Sequence, residues 1–133
     1  PAAAEEQARL RIEDELAELL AAGRRDGEAL TLLASSAPGA DILAHEAGRA
    51  LEIERRLCVP MPADDVSRIA FSGLDSWRTR FLAIAEELKG SRTLQMADQA
   101  NLPRWLLARN TDPWARCNRW MLKLAETWGA NRR

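Results

Sequence analysis

Apolar residues recur along this chain at the three- and four-residue spacing of amphipathic helices. The clearest stripe lies in the last predicted helix, from Asp112 to Trp128, where five residues share one face: Trp114, Cys117, Met121, Leu124 and Trp128. Asp112 suits the N-cap and Pro113 the first helical position, while Gly129 is a natural left-handed C-cap. The sequence therefore predicts a helix here with one face turned to a core.

Seven earlier segments carry helical spacing or lie between capping and breaking residues. They are residues 3–22, 27–36, 41–58, 64–73, 76–89, 92–100 and 104–109. Asp26 and Asp41 are the predicted caps of the second and third helices. No segment alternates apolar and polar residues for long enough to predict a strand. The expected fold class is all-α, a compact bundle of about six to eight helices.

Pro60-Met61-Pro62 is the strongest break in the chain. Because it contains no Gly or Ser, it predicts a rigid connection between two helical layers, not a flexible linker. At 133 residues the chain is expected to form a single helical domain, residues 1–133, with an acidic half (1–62) and a basic, Trp-rich half (63–133).

The net charge of −1 hides a division along the chain. Residues 1–66 hold 7 Lys and Arg against 14 Asp and Glu, a net of −7, and residues 67–133 hold 12 against 6, a net of +6. Three interpretations stay open: the basic half faces a polyanion, the acidic face of one copy meets the basic face of the next, or the halves neutralise each other within one bundle.

The residue types that carry common chemistries are scarce. His45 is the single histidine and is interpreted as structural or solvated; Cys58 and Cys117 lie among apolar residues and are interpreted as buried free thiols. No Gly-rich phosphate loop and no Ser-His-Asp or Cys-His set is present. The chain is therefore expected to be no enzyme and to use no cofactor or metal. Its acidic start and its lack of a long apolar run favour a cytoplasmic protein.

Arginine lies beside tryptophan three times in the basic half. Guanidinium groups neutralise phosphates, and indole faces stack on unpaired bases. The candidate nucleic-acid-binding residues are Arg78, Arg80, Arg104, Arg109, Arg116, Arg119 and Lys123. Trp105 and Trp120 are candidates for stacking or for an interface, whereas the spacing of Trp77, Trp114 and Trp128 places those three in the core.

A small chain with an all-helical pattern, no catalytic set and an Arg- and Trp-rich basic half resembles the helical small subunit of CRISPR-Cas effector complexes. The resemblance implies a non-catalytic bundle in a ribonucleoprotein complex of antiviral defence. Such a subunit stacks head to tail beside larger protein subunits and contacts RNA or single-stranded DNA phosphates. The acidic half departs from a purely basic surface and suits head-to-tail stacking. The alternative hypothesis is a helical protein–protein interaction adaptor or homodimer with no nucleic-acid role, using its Trp-bearing last helix.

Overall fold

The computed structural model of the chain describes residues 2–96 and 112–130. This part of the chain forms, in order, α1 (Ala2–Asp26), β1 (Thr31–Ala34), α2 (Ala40–Ala50), β2 (Glu54–Val59), α3 (Ala63–Ala70), α4 (Asp75–Glu87), β3 (Thr93–Gln95) and α5 (Pro113–Ala130). The three strands make one parallel sheet in the order β1-β2-β3. The prediction of an all-α bundle is therefore wrong, and the chain is mixed α/β.

The strands lie where helices were predicted. Segment 27–36 contains β1, segment 41–58 contains α2 followed by β2, and segment 92–100 contains β3. In β2 the consecutive residues Leu57, Cys58 and Val59 are all fully buried. Where a strand is covered on both faces, consecutive residues are apolar, so this part of β2 lacks the alternation that would distinguish it from a buried helix.

The two faces of the sheet are covered by different helices. Leu57 and Val59 pack in the main core with Ile42 of α2 and with Phe81 of α4. Cys58 points the other way, because side chains alternate along a strand. The Cys117 thiol of α5 lies 3.7 Å from the Cys58 carbonyl oxygen. Helices α2 and α4 therefore cover one face, and α5 covers the opposite face.

The main core forms around α4. The helix predicted at residues 76–89 is observed as α4, and Phe81, Ile84 and the C-cap residue Leu88 are buried along one face of it. Phe81 stacks on Phe71, with ring centroids 5.0 Å apart and an interplanar angle of 15°. Each fully buried aromatic or aliphatic side chain of this kind contributes about 1.5–3 kcal/mol, so these contacts fix α3 and α4 against the sheet.

Helix α1 packs on α2 through a smaller cluster in which Leu16, Ala47 and Ile53 are buried. It runs past the predicted end at residue 22 and ends at Asp26, followed by Gly27 with φ of 72°. The predicted end at residue 22 and the predicted role of Asp26 as cap of a second helix are wrong. The left-handed conformation that ends a helix without strain is adopted by Gly27 instead.

Pro60-Met61-Pro62 lies between β2 and α3, so its interpretation as a joint between two helical layers is also wrong. Pro60 and Met61 are buried, and Pro62 immediately precedes the first residue of α3. Across residues 2–96 and 112–130, no helix combines the length and the apolar character needed to cross a bilayer.

Candidate functional site

The strands of the sheet end together at Ala34, Val59 and Gln95, an edge called here the carboxyl edge. Helix α2 begins at this edge after the turn Ser35–Gly39, and α3 begins there after β2. Helix α5 begins there too, because Trp114 lines a groove with Ala37 and Pro38 of the turn. Three helix N-termini, with their partly positive N–H groups, therefore meet at one edge of the sheet.

Helix α5 runs antiparallel to the strands. Near its other end, Ala125 and Trp128 line a cavity of about 240 Å³ with Thr31 and Leu33 at the start of β1. The predicted start of this helix is confirmed, since Pro113 is its first residue and the Asp112 carboxylate accepts a hydrogen bond of 3.1 Å from the Trp114 N–H. The predicted cap thus positions the Trp114 ring over the carboxyl edge.

The Cys117 side chain anchors α5 to the sheet. Its thiol lies 3.7 Å from the Ser35 hydroxyl and 3.7 Å from the Cys58 carbonyl oxygen. Both cysteines are free and buried, as predicted. Burial raises the pKa of Cys58 to about 12 and also raises the pKa of Cys117. Both thiols therefore stay protonated and act as apolar packing groups.

His45 holds the end of β1 in place. The ring is fully buried, and its Nε2 lies 3.1 Å from the Ala34 carbonyl oxygen and 3.2 Å from the Ser35 carbonyl oxygen. Because both partners are acceptors, Nε2 carries the proton and donates. Burial lowers the pKa of His45 to about 4. The imidazole is therefore a neutral structural group, in line with the structural interpretation of its sequence position.

The turn after β1 depends on a glycine and an aspartate. Gly39 has φ of 99°, a conformation that L side chains rarely adopt. Asp41 lies in the first turn of α2 and accepts a hydrogen bond of 3.0 Å from the Ala37 N–H, while α2 has no side-chain cap. The predicted capping role of Asp41 is therefore wrong, because its carboxylate closes the preceding turn instead. Burial raises the pKa of this carboxyl.

The groove at the carboxyl edge has a volume of about 270 Å³. Its lining residues are Ala37, Pro38, Ile69, Ala70 and Trp114. The Trp114 Nε1 and the Ser36 hydroxyl are buried, and within the described residues neither has a hydrogen-bond partner. A buried donor without a partner costs about 1–3 kcal/mol. Of these two residues, Trp114 lines the groove and Ser36 does not.

Two of the predicted nucleic-acid-binding residues are engaged within the chain. Arg78 donates to the Phe71 carbonyl oxygen at 2.9 Å and lies 3.5 Å from the Asp75 carboxylate. A phosphate contact through Arg78 would compete with these bonds.

Arg80 is engaged more tightly. It forms ion pairs with Glu46 and with Glu5, the latter at 2.7 Å, and its guanidinium lies 4.3 Å from the centroid of the Trp77 ring. The hydrogen bonds that Arg80 donates to the Glu46 carboxylate raise the pKa of Arg80, and the hydrogen bond that Arg80 donates to Glu5 lowers the pKa of Glu5. Arg80 therefore ties α4 to α1 and α2.

The predicted cations of α5 are differently placed. Arg119 and Lys123 are exposed, Arg116 and Trp120 are half-buried, and none of the three cations forms an ion pair with another described residue. Arg104, Arg109 and Trp105 lie outside the described residues.

Sequence reasoning did not identify the groove as a site. Trp114 was predicted as core, and its ring does pack against the main core while its Nε1 stays without a partner. The turn Ser35–Gly39 falls at the junction of the predicted helical segments 27–36 and 41–58, so it was expected to connect two helices. The signal that would have indicated the site is the turn of small residues directly after the short apolar run Thr31–Ala34, a pattern typical of a strand entering a helix.

Comparison with protein-family models, with curated proteins and with solved structures finds no significant match for this chain. The resemblance to the CRISPR-Cas small subunit was drawn partly from an all-helical pattern, which the parallel sheet contradicts. What that resemblance implies about partners stays a prediction.

Proposed function

We propose that this chain is a small-ligand-binding α/β domain whose site is the groove at the carboxyl edge. The observation that carries the proposal is the Trp114 Nε1, a buried donor without a described partner in a side chain that lines the groove. In open α/β sheets, ligands bind outside the carboxyl ends of the strands, at a point where the strand order reverses. The order β1-β2-β3 of the described strands has no such reversal, so this groove shares with those sites only its place at the carboxyl edge. The groove lies at that position, between the turn after β1 and the first turn of α5.

The lining residues define the class of ligand. Pro38, Ile69 and Trp114 offer apolar surface, and the indole N–H requires an acceptor atom. At about 270 Å³ the groove is slightly smaller than the usual range of roughly 300–1,000 Å³. The ligand is therefore a small, flat, mainly apolar group that carries one hydrogen-bond acceptor, such as a single heterocyclic ring system.

Carboxylates at the edge argue against a multiply charged anion. Asp41 lies in the first turn of α2, Asp64 and Asp65 in that of α3, and Asp112 caps α5. These carboxylates offset the positive helix ends, each by about 0.3–1 kcal/mol. A neutral ring therefore fits this edge better than a bare polyphosphate.

Trp114→Phe tests the proposal, because it keeps an aromatic ring in the groove and removes the donor. Trp128→Phe, at the far end of α5, is the matched control. The probes are adenosine, AMP, nicotinamide and benzamide, and binding is followed by chemical-shift changes of the backbone amides of residues 36–40 and 113–115. We expect at least one probe to perturb these amides in the wild type and the control, and to lose about tenfold in affinity in Trp114→Phe, since one hydrogen bond contributes about 1 kcal/mol or more.

Equal binding to the wild type and Trp114→Phe would show that the indole N–H takes no part in binding. Chemical-shift changes on other surfaces, with none at the carboxyl edge, would show that the groove is not the binding site.

A second candidate function is that of a non-catalytic subunit of a cytoplasmic nucleoprotein assembly. In this role Arg116, Arg119 and Lys123 contact RNA or single-stranded DNA phosphates beside larger protein subunits. The observation that favours it is the absence of any ion pair for these three cations within the described residues, while Arg55, Arg78 and Arg80 are paired.

A mobility-shift titration over a range of salt tests this role. Converting Arg116, Arg119 and Lys123 to Glu should abolish binding of a single-stranded oligonucleotide. The matched control converts three other cations of the basic half to Glu: Arg68, Lys89 and Arg92. Affinity that ignores ionic strength, or that falls equally in both triple variants, would contradict a specific phosphate contact through α5.

A further inference from the structure

The two outermost helices lie on opposite sides of the sheet. Helix α1 packs on α2, on the face that carries the main core, and α5 packs on the other face. A surface on α1 and a surface on α5 therefore point in different directions. Two such surfaces on one molecule join copies head to tail if they are complementary.

The exposed surface of α5 combines a leucine with two cations. Leu122 is 62% exposed, the most exposed of the large apolar side chains that are described. Arg119 precedes it by one helical turn, and Lys123 follows it directly. Both cations are exposed, and neither has an ion-pair partner among the described residues.

The exposed surface of α1 offers the opposite charge beside a groove whose apolar lining is Ala8 and Ile12. The groove has a volume of about 260 Å³ and is lined by Ala8, Arg11, Ile12 and Glu15. Glu18 and Leu19 follow on the next turn, and Leu19 is 55% exposed. Glu15 and Glu18 are exposed and form no ion pair with another described residue, and Arg11 lines the same groove.

We propose that α5 of one copy docks on α1 of a second copy, with Leu122 in the groove of α1 and with Arg119 and Lys123 against Glu15 and Glu18. The contact is heterologous, so a docked pair of copies keeps a free α1 at one end and a free α5 at the other, and further copies can add at both ends. The assembly is therefore an open row of copies. This inference does not depend on the ligand groove at the carboxyl edge.

The exposed leucine favours a protein partner over a nucleic acid at this surface. A phosphate backbone would leave Leu122 in water, whereas the apolar lining of the α1 groove would cover it. The carboxylates beside that groove would repel phosphates and attract the cations of α5.

A charge swap tests the contact on the full chain. One variant carries Arg119→Glu and Lys123→Glu, and the other carries Glu15→Lys and Glu18→Lys. The weight-average mass of each variant, and of an equal mixture, is measured by sedimentation from micromolar to millimolar concentration. Circular dichroism checks that each variant is folded.

The wild type should rise above the monomer mass of 14.8 kDa with concentration and return to it in molar salt, where the screening length falls to about 3 Å. Each charge-swapped variant alone should stay at 14.8 kDa, because its two surfaces carry the same sign. The mixture should associate, because each surface of one variant then meets the opposite charge on the other.

Leu122→Ala should weaken the association, and Leu82→Ala, which shortens an exposed leucine of α4, should not. A wild type that stays monomeric throughout would overturn the proposal, as would a mixture of folded variants that fails to associate. A third result to look for is an α5 variant that loses oligonucleotide binding and still self-associates like the wild type. This result would assign the α5 surface to the second candidate function and would overturn the docking of copies.

Discussion

The Arg55 guanidinium provides the sharpest test of how this fold is stabilised. Arg55 lies in β2, is 6% exposed and pairs with Glu87 at the end of α4. A further Arg55 nitrogen donates to the His45 carbonyl oxygen at 3.3 Å. Glu87→Gln removes the charge that balances this guanidinium and leaves the cation buried.

The expected loss follows from burial on the two sides of the pair. Removing one partner of a buried ion pair costs about 3–5 kcal/mol. The Glu87 side chain is 33% exposed, so water partly screens the pair and partly compensates its loss. We therefore expect Glu87→Gln to lower the free energy of unfolding by about 2–3 kcal/mol. At roughly 3–5 °C per kcal/mol for a chain of this length, Tm should fall by about 6–15 °C.

Urea unfolding followed by circular dichroism measures this loss. Glu86→Gln is the matched control, because Glu86 is 73% exposed and pairs with Lys89 at 2.7 Å on the surface. The control should lose less than about 1 kcal/mol. Adding Arg55→Met to Glu87→Gln should recover most of the stability, because the apolar side chain needs no counter-charge.

Equal losses in Glu87→Gln and Glu86→Gln would refute the reasoning, since the cost would then not depend on the burial of Arg55. A double variant less stable than Glu87→Gln alone would show that Arg55 stabilises through its hydrogen bond to the His45 carbonyl and not through Glu87.

Three further outcomes are expected. Because burial lowers the pKa of His45 from 6.5 to about 4, the unfolded chain binds a proton at this histidine before the folded chain does as pH falls. The free energy of unfolding should therefore fall by about 2 kcal/mol between about pH 7.5 and about pH 5. Urea unfolding measured over this pH range should show a smaller loss in His45→Gln. Gly48→Ala should cost about 1–3 kcal/mol in the same assay, because its Cβ would lie 3.0 Å from the Arg55 Cδ; a neutral effect would mean that the strand side chain moves freely. Iodoacetamide should label Cys58 and Cys117 far more slowly in the native protein than in urea, measured by mass spectrometry, since both thiols are buried and protonated; equal rates would contradict their burial.

The helices that were predicted correctly have their determinants within a few residues. In α5 the Asp112-Pro113 start is a local capping signal, and the structure contains it as such. In α4 the spacing of Phe81, Ile84 and Leu88 sets the buried face. Both signals depend on contacts within a helix or on one face of it, so a single sequence expresses them fully.

The strands were missed for the opposite reason. Leu32 and Leu33 of β1 and Leu57 of β2 are apolar because helices cover the sheet, and this covering is a property of distant segments. Arg55 made β2 harder to predict, because a charged residue is expected on the exposed face of a helix, whereas Arg55 is buried. Its burial depends on Glu87, which lies 32 residues later in the chain.

The candidate sites show the same division between features set by local sequence and features set by distant contacts. The basic surface of Arg119 and Lys123 was expected from the sequence and is exposed in the fold. The groove was not expected, because it joins Ala37 and Pro38 to Ile69 and Trp114, residues brought together only when the strands pair in parallel.

By itself the sequence determined where helices with local start signals begin, which of their faces are apolar, that the two thiols are buried and how charge is divided along the chain. The tertiary structure decided that three short apolar runs are strands, which arginines are neutralised inside the molecule, and that Trp114 lines an open groove. The physical reason is the sequence separation over which each kind of interaction acts. Capping and periodicity act over one or two turns of chain, whereas strand pairing, burial of an ion pair and the closing of a groove depend on contacts between residues tens of positions apart.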